Sequence, residues 1–268
     1  MHEKLQNMGK LPCFMAENLS KMPQIKHFFT TRLGGVSRAE FSSLNTGLPE
    51  TSLDDPADIE ANMNVICKSF GIARSRLFTV KQVHEKDIYV ATGGMMNPEP
   101  VADAIITQQK GLALGVRTAD CVPILLSAGS GDMVAAVHAG WPSTYAGIIQ
   151  ATVKKMVSMG ADLNEIVASV GPAIAEGSYE VGKEIFLQFT QQSYEYSAYF
   201  RKAERAEHYM FNLSGLAAKI LDNAGVRNIE HIQVDTYENE DLLFSHRRAT
   251  HNEQKKEGRQ LSVIMISD

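Results

Sequence analysis

The sequence predicts a mixed α/β or α+β fold in a single domain. Three observations predict it. Short apolar or alternating segments of strand character outnumber amphipathic helical ones, yet the two kinds are interleaved along the chain. The 268 residues are 44% hydrophobic, which is enough to build a large core. No internal repeat, low-complexity tract or flexible linker marks a point at which the chain would divide.

Residues 1–24 read as an irregular N-terminal segment, with Pro12 and Pro23 as breakers, ahead of a domain over residues 25–268. Ile25 to Thr31 is a strand that runs into Arg32-Leu33-Gly34-Gly35. Two adjacent glycines turn tightly and leave N–H groups free to face an anion, an idea that Arg32 strengthens. The alternative is an ordinary turn with a solvated arginine. Asp55-Pro56 starts a helix, with a capping carboxylate and proline in the first turn. Ile59, Met63, Ile66 and Phe70 fall at helical spacing, Cys67 lies beside that stripe, and Gly71 ends it.

Leu77 to His84 alternates as a half-buried strand with Phe78, Val80, Gln82 and His84 on one face. That face turns polar at His84, which reads either as a site residue or as a histidine satisfied by a carbonyl. Asp87 to Ala91, Val101 to Thr107 and Leu112 to Val116 are further strands. Asp103 lies within apolar surroundings, so it needs a partner: it either faces a loop or supports a site. Thr144 to Met159 reads as one helix with Ile148, Ile149, Val153, Met156 and Val157 inward, ended by Gly160. Ile166 to Val170 is a strand, Glu180 to Thr190 a helix with Ile185, Phe186 and Phe189 inward, and residues 191–210 an exposed excursion. Asn212 to Ala224 is a helix; Ile229 to Val234 and Leu261 to Ile266 are strands, separated by a charged, loop-rich stretch.

The chemistry concentrates between Thr118 and Thr144. Val122 to Ser127 and Met133 to Val137 read as a hairpin around Ala128-Gly129-Ser130-Gly131. If Ser127 faces Asp132, then Cys121 faces His138. Directly opposed residues share a face with Cβ atoms roughly 4.5–5.5 Å apart. That spacing suits a thiolate and an imidazole on one metal, and equally a Cys–His nucleophile pair.

The net charge of −5 and the lack of a basic block argue against a nucleic-acid partner. The first twenty residues hold no continuous apolar run, so neither a signal peptide nor a membrane span is expected. Three widely spaced cysteines, Cys13, Cys67 and Cys121, fit a reducing cytoplasm better than a disulfide framework.

The segments FTTRLGGVS, SSLNTG, KQVH, ADAIIT, TADCVPILL, AVHAGW, GPAI with YEVG, TYENEDLLFSHRR and GRQ occur in this order. Together they resemble the laccase-domain family over roughly residues 27 to 266. Its members were first called polyphenol oxidases and later purine nucleoside phosphorylases. The resemblance implies a layered α/β/β/α sandwich similar to the catalytic domain of cytotoxic necrotizing factors. It also implies a Zn²⁺ site of His84, Cys121 and His138, which would be both the metal-ligating and the catalytic residues. The implied chemistry is phosphorolysis of adenosine, inosine and methylthioadenosine, and hydrolytic deamination of adenosine, so the expected partners are a purine nucleoside and phosphate. Three protein ligands leave a fourth tetrahedral position open, the mark of a catalytic zinc; copper also suits such ligands.

Arg32 and Arg247 are candidates for phosphate, since guanidinium forks match its oxygens. Asn45 is a candidate for ribose or base. Gln82, Thr118 and Asp120 are candidates to orient the ligands. The sequence departs from the family pattern: Pro142-Ser143 follows VHAGW where an arginine and glycine are usual, and Glu85 replaces the glycine of QVHG. Glu176-Gly177-Ser178 and Asp235 stand where cysteines are common. The competing readings are a metal-free Cys–His hydrolase or amidase with Cys121 as nucleophile and His138 as base, a copper-dependent phenol oxidase, and a non-enzymatic cell-wall quality-control factor.

Overall fold

Two six-stranded sheets, a small third sheet and the helices packed on them build the computed structural model, which describes residues 5–94 and 96–267. Strands β1 (Leu5–Met8) and β2 (Leu11–Phe14) form a hairpin that turns at Gly9, φ 64°. The sequence predicts an irregular segment here. Instead Leu11, Cys13 and Phe14 are buried and β2 pairs onward with β3 (Ile25–Thr30), so apolar burial outweighs the breaker at Pro12. Helix α1 (Glu17–Ser20) lies between them in sequence, and α2 (Pro49–Ser52) follows the SSLNTG segment.

Helix α3 (Pro56–Phe70) matches expectation. The Asp55 carboxylate accepts from Ala57 N at 2.8 Å, and Gly71 closes the helix at φ 75°. After it come β4 (Leu77–Thr79), β5 (Ile88–Val90), β6 (Ala104–Thr107), β7 (Ala113–Thr118), β8 (Val122–Ser127) and β9 (Val134–Ala139).

The predicted single helix over 144–159 is two: α4 (Trp141–Ala146) and α5 (Ile148–Ser158), broken at Gly147, whose φ of 94° a continuous helix does not allow. Val157, expected inward, is exposed, while Ile148, Ile149, Val153 and Met156 are buried. Strand β10 (Val167–Val170) is followed by β11 (Glu180–Gly182) and α6 (Lys183–Gln192). The helix starts later than predicted because Glu180–Gly182 pairs with β13 (His208–Phe211), which also pairs with β12 (Phe200–Lys202). The expected excursion over 191–210 has no buried residue, but it is not irregular: residues 194–199 form a 3-10 helix and 200–202 and 208–210 join a small sheet, held by aromatic stacking of Phe200 on Phe211 and Phe186 on Tyr209, each at 4.1 Å between ring centroids. Helix α7 (Leu213–Asn223), strand β14 (Asn228–His231), helix α8 (His246–His251) and strand β15 (Gln260–Ile266) complete the chain.

The first large sheet has the order β1-β2-β3-β15-β7-β4 and the second β14-β10-β8-β9-β6-β5. Alternation along the strands sorts their side chains into layers. Phe29, Leu114, Val116 and Ile264 of the first sheet meet Ile105, Leu125, Val134 and Ala136 of the second. Phe28, Ala113 and Val263 point the other way, onto Ile59, Met63, Ile66 and Phe70 of α3. Ile124, Leu126 and Val137 meet Ile149 and Val153 of α5 and Leu216 and Ile220 of α7. The result is the expected α/β/β/α sandwich. Each fully buried aliphatic side chain contributes roughly 1.5–3 kcal/mol, so the layering is set by these three interfaces.

The β8–β9 hairpin differs from its predicted register. Pro123, not Cys121, lies opposite His138, because Ala128 N bonds Met133 O at 2.9 Å and the turn closes one residue later than predicted. The offset moves Cys121 by two positions relative to His138, and an even offset preserves the face.

Candidate metal centre

Two of the three proposed ligands lie where the chain passes between the sheets, and the third lies on a strand of the second sheet. His84 sits on the connection from β4 in the first sheet to β5 in the second. Cys121 sits on the connection from β7 in the first sheet to β8 in the second, and His138 is on β9. The predicted strand over 77–84 stops at Thr79, and His84 has φ 63°. The cause is Asp103. Its carboxylate accepts from the backbone N–H groups of Val83, His84 and Glu85 at 3.1, 3.0 and 2.8 Å, gathering them into a turn. The same carboxylate accepts from His138 Nδ1 at 2.7 Å, which leaves Nε2 to face the site. Burial opposes charge on Asp103, but these bonds hold its carboxyl below the usual range. Of its two sequence readings, support of the site is the one realised.

Asp120 fixes the bend that presents Cys121. It has φ 88°, and its carboxylate accepts from Thr236 Oγ1 and from Arg247 N, both at 2.6 Å. Gln82 exchanges bonds with the Arg117 backbone, donating to O at 2.7 Å and accepting from N at 2.8 Å, and so ties the His84 segment to β7. Thr118 lines the same cavity, but its buried Oγ1 has no hydrogen-bond partner among the described residues.

The ligand atoms of His84, Cys121 and His138 all lie within 4.8 Å of one another. Cys121 Sγ is 3.6 Å from His84 Nε2. Tetrahedral zinc, with bonds of about 2.0 Å to nitrogen and 2.3 Å to sulfur, separates such atoms by about 3.5 Å. Burial raises the Cys121 thiol, yet the charge and hydrogen bonds of His138 and His84 outweigh it and bring the thiol down to about 6. Burial likewise opposes charge on His138, but Cys121 and Asp103 push its imidazole up to about 9. The donor set, its spacing and its thiolate character fit a zinc ion. Gly140 backs the site: a Cβ there would lie 2.5 Å from His84 Cδ2 and 3.1 Å from Cys121 Sγ.

The three ligands border a cavity of about 560 Å³. The structure does not bring the other proposed substrate residues to it. Asn45 is fully buried and spends its amide on Ser52, Asp54, Gly47 N and Arg259 N. Arg32 donates to Ser42 O and Glu240 O and lies 4.6 Å over the Phe244 ring. The Gly34-Gly35 loop is likewise committed internally: Gly35 N donates to Ser43 Oγ and Val36 N to Asn62 Oδ1. Arg247 donates to Glu180 O and sits 5.2 Å from the Tyr179 ring.

The cationic residues that do line the cavity are Arg117, His246, Lys255, Lys256 and Arg259. The sequence reading misses all five; the run HNEQKKEGRQ ahead of the final strand contains three of them. Cys13 and Cys67 are buried elsewhere, and burial pushes both thiols up to about 11, which suits inert packing residues.

A family model described as multi-copper polyphenol oxidoreductase laccase matches residues 26–267. The chain belongs to the laccase-domain family. Among curated relatives, a purine nucleoside phosphorylase of Bacteroides thetaiotaomicron is 32% identical over 262 residues, covering 93% of this chain and 94% of that protein. One of Rickettsia prowazekii is 35% identical over 210 residues, covering 78% and 85%. One of Streptomyces coelicolor is 42% identical over 161 residues, a match that spans 59% of this chain and 66% of that protein. Among solved structures, YlmD from Geobacillus stearothermophilus superposes with a TM-score of 0.88 at 27% identity over 99% of both chains. No helix among the described residues of this laccase-domain protein is long and apolar enough to cross a membrane.

Proposed function

We propose that the protein is a zinc-dependent purine nucleoside enzyme. It phosphorolyses adenosine, inosine and methylthioadenosine and hydrolytically deaminates adenosine. The observation that carries this reading is the convergence of His84, Cys121 and His138 within 4.8 Å on the wall of a nucleoside-sized cavity. The names of the curated relatives support it. Zinc would supply a Lewis acid of the kind that activates water in zinc deaminases. The protein's own part is positioning. Asp103 holds the proton on His138 Nδ1 and shapes the His84 turn, while Asp120 sets the Cys121 bend. The reaction belongs in the cytoplasm, where the three free cysteines stay reduced.

One geometry favours a second reading. Cys121 Sγ and His84 Nε2 stand 3.6 Å apart, and His138 adds a second imidazole, so a thiolate nucleophile with a histidine base is also assembled. Adenosine turnover with and without a chelator separates the two, followed as both free base and inosine. On the zinc reading, purified protein holds stoichiometric zinc, the chelator abolishes turnover, and Cys121→Ser lowers zinc affinity by orders of magnitude. Turnover that survives the chelator while Cys121→Ser is dead at every metal concentration overturns it in favour of the hydrolase.

A further inference from the structure

The wall of the metal cavity carries more positive charge than its internal pairing uses. His246, Lys255, Lys256 and Arg259 line it together with one carboxylate, Glu257. Glu257 is a clamp: it accepts from His246 Nδ1 at 2.9 Å and pairs with Arg259 Nη2 at 2.6 Å. The backbone beneath is fixed too. Arg259 N donates to Asn45 Oδ1 at 2.9 Å, and Arg259 O accepts from Thr46 N and Oγ1 at 3.0 and 2.8 Å. The neighbouring Arg117 is spent, with its guanidinium bonded to Thr46 O, Val80 O, Thr79 and Glu99.

Lys255 and Lys256 differ. Among the described residues neither has an ion-pair or hydrogen-bond partner, although both line the cavity. Thr118, only 2% exposed, adds an unpartnered buried hydroxyl to the same cavity. Counting His246 as neutral, three cations face one carboxylate, a surplus that matches a phosphate carrying about −1.5 to −2 charge. Lys255 and Glu257 also line an adjoining cavity of about 510 Å³ that holds Arg32 and Arg248, so the basic loop borders space on both sides.

We propose that Lys255, Lys256, Arg259 and His246 form a phosphoryl-group subsite beside the metal ligands, an assignment that rests on the purine nucleoside reading for the identity of its neighbour. The group is either inorganic phosphate, the second substrate of phosphorolysis, or the 5′-phosphate of a nucleotide. Lysine ammonium groups neutralise it as point charges, and the Arg259 fork adds directed donors.

Calorimetric titration of the zinc-replete protein with inorganic phosphate, and separately with adenosine and adenosine 5′-monophosphate, tests this without any turnover. K255Q/K256Q removes two positive charges that no internal ion pair or hydrogen bond among the described residues needs. K154Q/K155Q removes the same charge from exposed positions on α5 and serves as the control. The expected result is phosphate or monophosphate binding that weakens by about tenfold or more in K255Q/K256Q and is unchanged in K154Q/K155Q. A monophosphate that binds more tightly than adenosine in the parent, but not in K255Q/K256Q, assigns the subsite to a nucleotide. Phosphate binding without that preference assigns it to the free anion. No binding of either, or equal weakening in both double variants, overturns the subsite. If phosphate binding follows the lysines while no nucleoside is turned over, the subsite stands and the enzymatic reading falls.

Discussion

Asp103 shows how much of the site depends on one side chain. Its two oxygens take three backbone amides and the His138 ring, so a single carboxylate sets the position of two of the three ligands. Thr118 is the opposite case, a buried hydroxyl with no hydrogen-bond partner among the described residues. Because the fold gains nothing from that hydroxyl, Thr118→Val should leave stability within about 0.5 kcal/mol of the parent, or raise it, while weakening ligands of the cavity. Urea unfolding alongside ligand titration checks this; a loss of several kcal/mol would show that the hydroxyl is structurally engaged. The convergence of His84, Cys121 and His138 was legible in the sequence because each lies in a distinctive local string. For Arg32, Asn45 and Arg247 the sequence offers residue type and, for Arg32, a neighbouring Gly-Gly turn, and neither says which donors the fold will consume. Asn45 is entirely spent on Ser52, Asp54 and two backbone amides. Lys255 and Lys256 went unnoticed for the converse reason: a charged loop looks solvated until tertiary structure folds it over a cavity.

At the level of elements, local signals were read well and distant ones were not. Helix α3 is bounded by Asp55-Pro56 and Gly71, all of which act within a few residues of its ends. The strand expected through His84 fails because a carboxylate at position 103 reshapes positions 83–85, a contact no local pattern reports. The β8–β9 register shifts because the predicted turn over 128–131 closes one residue later. The junction of β9 and α4 gives the sharpest test. Gly140 has φ −70°, which any residue adopts, so only space demands glycine there. In Gly140→Ala the new methyl would lie 2.5 Å from the His84 ring. The expected outcome is a metal affinity lower by about tenfold or more with little change in folding stability. Metal titration monitored against thermal unfolding measures both, and an unchanged affinity would remove Gly140 from the site.

For the whole molecule, the layered order was legible because strand alternation assigns each face a partner, and burial settles which face goes where. One internal charge problem follows from that packing. His27 on β3 is fully buried, with Nε2 accepting from Ala16 N at 2.9 Å and Nδ1 without a partner among the described residues. Burial lowers its imidazole from 6.5 to about 4, against the weaker pull of Glu230. Between those values the unfolded chain binds a proton that the native state refuses, so stability falls as the pH drops from 6.5 to 4. The loss amounts to about 3 kcal/mol. Whatever His27→Gln loses at pH 7, it should regain about that much relative to the parent at pH 4; parallel urea-unfolding profiles would refute the assignment. The placement of the ligands has a mechanical consequence of its own. His84 and Cys121 stand on two of the crossovers that join the sheets, so an ion held by both and by His138 would act as a clasp across the rim of the sandwich. Stripping the ion would loosen that rim while the apolar layers stay shut, a local opening rather than a global one. The protein would then survive without its metal as a folded shell with an unfastened mouth.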